Sequence, residues 1–312
     1  MSDCTKPVFV VGDVMLDRYV HGQVTRLSPE APVPILSVDK TQVALGGGAN
    51  VAANLKGLGA DVKAFGLVGQ DPEAAQLRSM MSALGIVSCL ESTSAPTIVK
   101  TRLIQNGRHL FRVDFERQFS AVDASKLACD FTSQIHSAKI VVLSDYDKGT
   151  LVDPQVYIQA ARKAGLRICV DPKRQEFECY RGASVATPNA VEFEQATGTP
   201  VSSAEFPHEA ETLRRSLSLD ALLVTAGVSG GYLLEAGRDM LHISANRVSA
   251  RDVTGAGDVV IASLADGLAR NLSMEDAARR AIKAGTISVM QSGTGVVTRE
   301  MLETQPAMNH AP

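Results

Sequence analysis

Val8-Phe9-Val10-Val11-Gly12-Asp13 sets the reading of the chain: four apolar residues stop at a glycine followed by a carboxylate. A strand buried on both faces is written as such a short continuous apolar run closed by a turn signal. The pattern recurs at residues 62–67, 140–143, 167–170, 184–186 and 221–225, with Ala-rich stretches of helical period between the runs. Strands alternating with helices predict an α/β fold with a mainly parallel central sheet covered by helices. Turn residues follow the runs directly at Gly12-Asp13, Ser144-Asp145, Asp171-Pro172-Lys173, Pro188-Asn189 and Ala226-Gly227. Ligands of open α/β sheets bind beyond the carboxyl ends of the strands, so the site is expected along that edge.

Two segments break the alternation, residues 33–45 and 97–115, and in the second Asn106-Gly107 separates two strand-like runs. Asn-Gly in that setting is a strong hairpin signal. A small β-sheet lid formed by about 14–45 and 97–116 is therefore expected within a single domain spanning 1–312. Its outer face is a candidate surface for pairing two copies of the chain into a homodimer.

Composition narrows the function. With 31 Lys+Arg against 34 Asp+Glu the formal charge is −3, and there is no Trp. A broad positive field and stacking platforms are both missing, which speaks against nucleic acid or a membrane surface as partner. The five cysteines include no Cys-x-x-Cys pair and the six histidines no His-x-x-x-His pair, so zinc chemistry has no support. No apolar run reaches the roughly 18 residues of a membrane span, and the first run is too short for a signal peptide, so a cytoplasmic protein is expected.

The chemistry concentrates in Asp252-Val253-Thr254-Gly255-Ala256-Gly257-Asp258, ahead of a helical stretch at 259–270. Glycines opening a helix let backbone N–H groups converge on an anion where the helix dipole favours negative charge. Asp258 stands beside that cradle, where a proton must leave an attacking hydroxyl. A second glycine-rich helix start is Gly46-Gly47-Gly48-Ala49-Asn50, with Asn54 one turn on. Asp13 and Asp17, after the first strand, are candidates to accept hydrogen bonds from a polyhydroxylated ligand. Asn189 and Glu192 lie one helical turn apart, a spacing suited to hydrated magnesium near a nucleotide but also common elsewhere. Thr225-Ala226-Gly227 opens a flexible turn able to lie against phosphates. A Walker-type phosphate loop, a Gly-x-Gly-x-x-Gly after the first strand and a Gly-x-Ser-x-Gly nucleophile elbow are all absent.

Together these residues resemble the ribokinase-like (PfkB) carbohydrate kinases over nearly the whole chain. The most specific likeness is 252–258, which looks like the family's second signature. In the first signature region, Gly69-Gln70-Asp71-Pro72-Glu73-Ala74 carries Ala74 where many members have glycine. Within the family, Arg26-Leu27-Ser28-Pro29-Glu30-Ala31-Pro32-Val33-Pro34 and Phe111-Arg112-Val113-Asp114 are similar to segments of bacterial heptose 7-phosphate kinases of the lipopolysaccharide pathway. Those enzymes are often fused to a nucleotidyltransferase domain; this sequence ends at Pro312, and a stand-alone kinase is expected.

The resemblance implies a three-layer fold, ATP and Mg2+ as cofactors and a phosphosugar as small-molecule partner. It makes Asp258 the base for the anomeric hydroxyl and Gly255, Ala256 and Gly257 the anion hole. Asp13, Gly47, Gly48 and Asn50 would hold sugar hydroxyls. Asn189 and Glu192 would position magnesium through water, and Thr225 and Gly227 would line the nucleotide site. The phosphate already on the sugar requires cations, for which Lys173, Arg112 and Lys148 are the candidates. The expected reaction is phosphorylation of D-glycero-β-D-manno-heptose 7-phosphate at O1. The alternatives are a kinase for another sugar or phosphosugar and a noncatalytic sugar or nucleotide sensor.

Overall fold

The computed structural model describes residues 6–304 apart from 247, 249–251, 292 and 294. Strand β1 (Val8–Gly12) is buried along its whole length and sorts the interior into two cores by simple alternation. Val8 and Val10 point to one core, Phe9 and Val11 to the other. The chain continues through β2 (Val14–Leu27), β3 (Pro34–Gly47), α1 (Gly48–Gly57), β4 (Val62–Val68), α2 (Pro72–Ala83) and β5 (Val87–Ser92). Next come β6 (Ile98–Gln105), β7 (Arg108–Phe115), α3 (Ala121–Gln134), β8 (Ile140–Ser144), α4 (Pro154–Lys163), β9 (Ile168–Asp171) and β10 (Val185–Ala186). The last elements are α5 (Ala190–Thr197), α6 (Phe206–Ser216), β11 (Ala221–Thr225), β12 (Gly231–Glu235), β13 (Leu241–Ile243), α7 (Ala256–Ala269), α8 (Met274–Ser288) and α9 (Arg299–Thr304).

The central sheet runs β13-β12-β11-β10-β9-β8-β1-β4-β5. It is parallel from β11 to β5, while β12 and β13 are added antiparallel at one edge. One core packs α1, α7 and α8 against the sheet, with Leu55, Ile261, Leu264 and Ile282 among its members. The other is aromatic: Phe9, Phe65, Phe131 and Tyr157 lie with successive ring centroids 5.0 to 6.0 Å apart beneath α3 and α4. Sheet and two helical layers make the three-layer α/β arrangement that the alternating sequence predicts. β1 sits where strand order reverses, with β4 on one side and β8 on the other, and such switch points open a crevice at the carboxyl ends.

A separate four-stranded sheet, ordered β3-β2-β6-β7, is built from the segments that break the alternation together with residues 14–27, within the bounds expected for the lid. Its hairpin turns at Asn106 and Gly107, with φ 51° and 76°, the left-handed pair that a two-residue turn requires. β2 pairs in parallel with β6, and β3 returns along β2 to deliver the chain into α1. Directly paired residues share a face, so Asp17, Lys100, Arg102 and Arg112 look one way. Phe111 and Phe115 look the other way and are 66% and 55% exposed. Among the described residues no helix is long and apolar enough to cross a membrane.

Candidate active site

α7 is apolar on nearly every side and buried from Asp258 to Leu268, so the carboxylate in its first turn is carried into the interior. Asp258 is 2% exposed. Its Oδ2 accepts from Asn50 Nδ2 at 2.8 Å and its Oδ1 from the Tyr146 hydroxyl at 2.8 Å. Burial raises its pKa to about 7, with the Asp171 charge adding to the rise and the Asn50 and Tyr146 hydrogen bonds and Lys173 opposing it. Desolvation wins over these compensations, so the carboxyl exchanges its proton near neutrality, as a general base for an alcohol must.

α7 starts at Gly255, whose φ of 77° is left-handed. Gly257 faces open space, the nearest atom to a Cβ placed there being Asp171 Oδ1 at 4.0 Å. The Ala256 N–H donates to the Val253 carbonyl at 3.3 Å, a long bond. Ala256 and Gly257 open onto a cleft of about 760 Å³ that is also lined by Thr225, Gly227 and Gly230. Val228, Val253, Val260, Ile282 and Val289 give this cleft apolar walls fit for a flat heterocycle. The expected anion hole and nucleotide turn thus come together across 30 residues of sequence.

Asn189 and Glu192 belong to the same edge, since Asn189 bridges to Thr225 beside β11. They form a capping box for α5: Asn189 Oδ1 accepts the Val191 and Glu192 N–H groups at 2.9 Å, and Glu192 Oε2 accepts the Asn189 N–H at 2.8 Å. Glu192 Oε1 pairs with Lys173 Nζ at 2.9 Å. Each of these oxygens already holds a protein partner, an arrangement compatible with the expected contact to magnesium through water. No cluster of three metal-ligating side chains occurs among the described residues. That donor set fits Mg2+, which keeps several waters and is held by few carboxylates plus substrate phosphates.

Other expected site residues are engaged by the packing. Asp13 is fully buried, and its carboxylate accepts the backbone N–H groups of Tyr146 and Lys148 on Oδ2 at 2.9 and 3.0 Å and of Thr150 on Oδ1 at 3.1 Å. It holds the loop after β8 through these three bonds. The Gly48 N–H donates to the Asp13 carbonyl at 2.9 Å and is spent there, and a Cβ on Gly47 would lie 2.3 Å from that same carbonyl. Asn50 stays in the site but spends its amide on Asp258, while Asn54 bonds Asn50 and the Val297 N–H. Lys173 is held well above the usual lysine range by Asp171 and Glu192, which it bridges at 3.2 and 2.9 Å. Lys148 pairs with Glu116 at 2.7 Å, and Arg112, 57% exposed, with Asp114 at 2.9 Å. Lys173 and Lys148 are thus engaged by protein carboxylates, while Arg112 keeps the largest exposed share of the three.

The sequence reading stops at Asp145 and misses Tyr146, although a residue directly after a strand end is where a ligand contact belongs. Of the cations on the lid face it names Arg112 but misses Lys100 and Arg102. Arg102 pairs with Asp17 at 2.5 Å, both buried, and Lys100, for which no ion pair is found among the described residues, lies 5.2 Å from the Tyr146 ring centre. Burial lowers the Lys100 pKa against the pull of Asp17 and Asp114. A second cleft, about 1080 Å³, lies between the lid and the turns at Asp252 and Gly293, lined by Tyr19, His21, Gln42 and His109.

Comparison with known proteins supplies an independent line. The profile described as pfkB family carbohydrate kinase matches residues 5–300. The bifunctional protein HldE of Pseudomonas putida is 44% identical over 293 residues, 94% of this chain and 62% of that protein. HldE of Nitrosococcus oceani is 41% identical over 297 residues, 95% of this chain and 63% of that protein. The chain thus spans less than two thirds of the length of these relatives. Among solved structures, Arabidopsis thaliana ribokinase complexed with ribose and ATP superposes with a TM-score of 0.75 at 23% identity, covering 96% of this chain and 98% of that one. Escherichia coli phosphofructokinase-2 superposes with a TM-score of 0.80 at 18% identity, covering 96% and 97%.

Proposed function

The chain belongs to the pfkB family of carbohydrate kinases, and from that premise we propose that it phosphorylates D-glycero-β-D-manno-heptose 7-phosphate at O1. The product is the 1,7-bisphosphate, on the route to ADP-heptose and the lipopolysaccharide core. The coarser statement, a phosphotransferase acting on a sugar hydroxyl with ATP and Mg2+, holds for the family membership itself. The observation that carries the chemistry is Asp258, a buried carboxyl with its pKa near 7 at the start of α7, beside a cleft lined by both glycine turns. The heptose assignment is supported by the 41–44% identity to HldE proteins and by the likeness of residues 26–34 to heptose kinases. Residues 26–33 form the exposed tip of the β2–β3 hairpin, so they support identity and not contact.

In the proposed reaction Asp258 takes the proton from the sugar O1–H as O1 forms a bond to the γ-phosphorus and the bond from that phosphorus to the bridging oxygen of ADP breaks. The N–H groups at the first turn of α7, at Gly255, Ala256 and Gly257, face the phosphoryl oxygens, and one such donor contributes roughly 3 kcal/mol to lowering a barrier. Thr225 and Gly227 border the nucleotide. Magnesium neutralises charge on the phosphates when bound, and Glu192 and Asn189 would orient its waters. The sugar would lie under the lid, with its own phosphate against Lys100 and Arg112 in place of Lys173 and Lys148. The two sheets act as one kinase domain, the smaller as its lid, and the exposed Phe111 and Phe115 face is the proposed contact of a homodimer.

Coupled ADP release with a panel of phosphosugars tests this reading. Turnover with heptose 7-phosphate and little with ribose or fructose 6-phosphate is expected; the reverse ranking removes the substrate assignment. Absence of turnover with every sugar, with ATP still bound, would favour the sensor alternative. Lys100→Met is expected to raise KM for the phosphosugar about 10-fold with kcat nearly unchanged, the loss of one partly buried charge contact. Light scattering at working concentrations checks the dimer, and a monomer mass would remove it.

A further inference from the structure

Tyr146 touches Asp258 directly, and nothing in the proposed reaction yet uses it. Its hydroxyl donates to Oδ1 at 2.8 Å while Asn50 holds Oδ2 at the same distance. Two ammonium groups flank the ring, Lys100 Nζ at 5.2 Å and Lys173 Nζ at 5.5 Å from its centre. The backbone beneath it is held by Asp13, which takes N–H groups from Tyr146, Lys148 and Thr150. A fully buried carboxylate bound to three N–H donors is a costly thing to displace, so this loop has one position.

We propose that Tyr146 is a positioning residue for phosphoryl transfer: with Asn50 it fixes the rotation of the Asp258 carboxylate, and Asp13 acts at one further remove by holding the loop that presents the phenol. An ionised carboxylate offers about four acceptor positions. Tyr146 and Asn50 occupy one on each oxygen and leave the others for the acceptor hydroxyl. The phenol can only donate here, because burial and the nearby Asp258 and Asp171 charges keep its own proton bound well above the usual range. This arrangement also explains why a buried acid stands at Asp13, where the sequence pointed to a sugar contact.

The inference rests on Asp258 being the base, and the experiment separates the two. The groups facing Asp258 are Asn50 from α1, Tyr146 from the loop after β8, and Asp171 and Lys173 from the end of β9. Tyr146→Phe keeps the ring between the two lysines and removes only the donor. It is expected to lower kcat roughly 10- to 100-fold with KM for ATP within about twofold. Loss of a donor to the charged form disfavours that form, so the acid limb of kcat/KM should move to higher pH. A purely structural role would lower Tm and leave the limb in place. Asp13→Asn, which loses one acceptor oxygen to the loop, should move the limb the same way if it folds; Tyr146→Phe decides the matter if it does not. Wild-type kcat and limb in Tyr146→Phe, with Asp258→Asn inactive, overturns the positioning role alone. Full turnover in Asp258→Asn overturns the base and this inference with it.

Discussion

The molecule has two glycine-led helix starts, at residues 46–48 and 255–257, and they do opposite things. At the first, glycine serves close packing: a Cβ at Gly46 would lie 2.7 Å from Asp17 Oδ2, and one at Gly47 2.3 Å from the Asp13 carbonyl. At the second, Gly257 looks onto open space beside Asp171 and the nucleotide cleft. Gly47 and Gly255 share a left-handed φ, 56° and 77°, so backbone shape does not separate the two. What separates them is what the helix start faces, packed backbone and side chains at the first and an open cleft at the second. The Gly48 N–H is spent on Asp13; the first turn of α7 opens on a cleft with a titrating carboxyl in it.

The difference can be broken by mutation. Asp258→Asn should lower kcat by about 10³-fold while ATP still binds, the size expected when a general base is removed, read by coupled ADP release and calorimetric titration of ATP. Asp258→Asn should also gain up to roughly 4 kcal/mol of stability at pH 8. A carboxyl whose pKa rises from 3.8 in the unfolded chain to about 7 in the fold opposes folding once ionised. That gain is absent near pH 4, grows as pH rises toward 7 and then levels off, as melting curves across pH should record. Gly47→Ala should destabilise the fold by about 3 kcal/mol, because it adds both a clash and a strained φ; urea titration reads it. Gly257→Ala should leave Tm within about 2 °C of wild type, since its Cβ meets nothing closer than 4.0 Å, yet narrow the cradle and lower kcat about 10-fold. If Gly257→Ala unfolds the protein and Gly47→Ala does not, the assignment of the two helix starts is reversed.

The parallel sheet was legible apart from β5, whose Val87-Ser88-Cys89-Leu90-Glu91-Ser92 is broken by polar residues, because its other strands are short apolar runs, and the lid hairpin because Asn106-Gly107 is a local signal. β2 was not, since Asp17, Arg18, His21 and Arg26 interrupt its apolar pattern, and the lid gives it one charged face. β12 and β13 at the antiparallel edge are short and announce themselves only by pairing. Asp258 and its glycines could be read because dipole, donors and base lie within seven residues. The loop contacts of Asp13 were not foreseen because a strand-end carboxylate looks the same in sequence whether or not it binds a loop 133 to 137 residues away. The capping box at Asn189 and Glu192 is spelled like a magnesium site for a similar reason: the spacing that puts two polar groups on one helical turn also caps the helix. Tyr146 meets Asp258, and Lys100 meets Tyr146, only through tertiary structure.

The most direct test is the pH dependence of single-turnover phosphoryl transfer from ATP to the sugar, in wild type and in Asp258→Asn. Wild type should lose rate about tenfold per pH unit below an apparent pKa near 7, and the slow residual transfer in Asp258→Asn should show no such limb. A limb of the same position and slope surviving in Asp258→Asn would place the proton acceptor elsewhere and contradict the account.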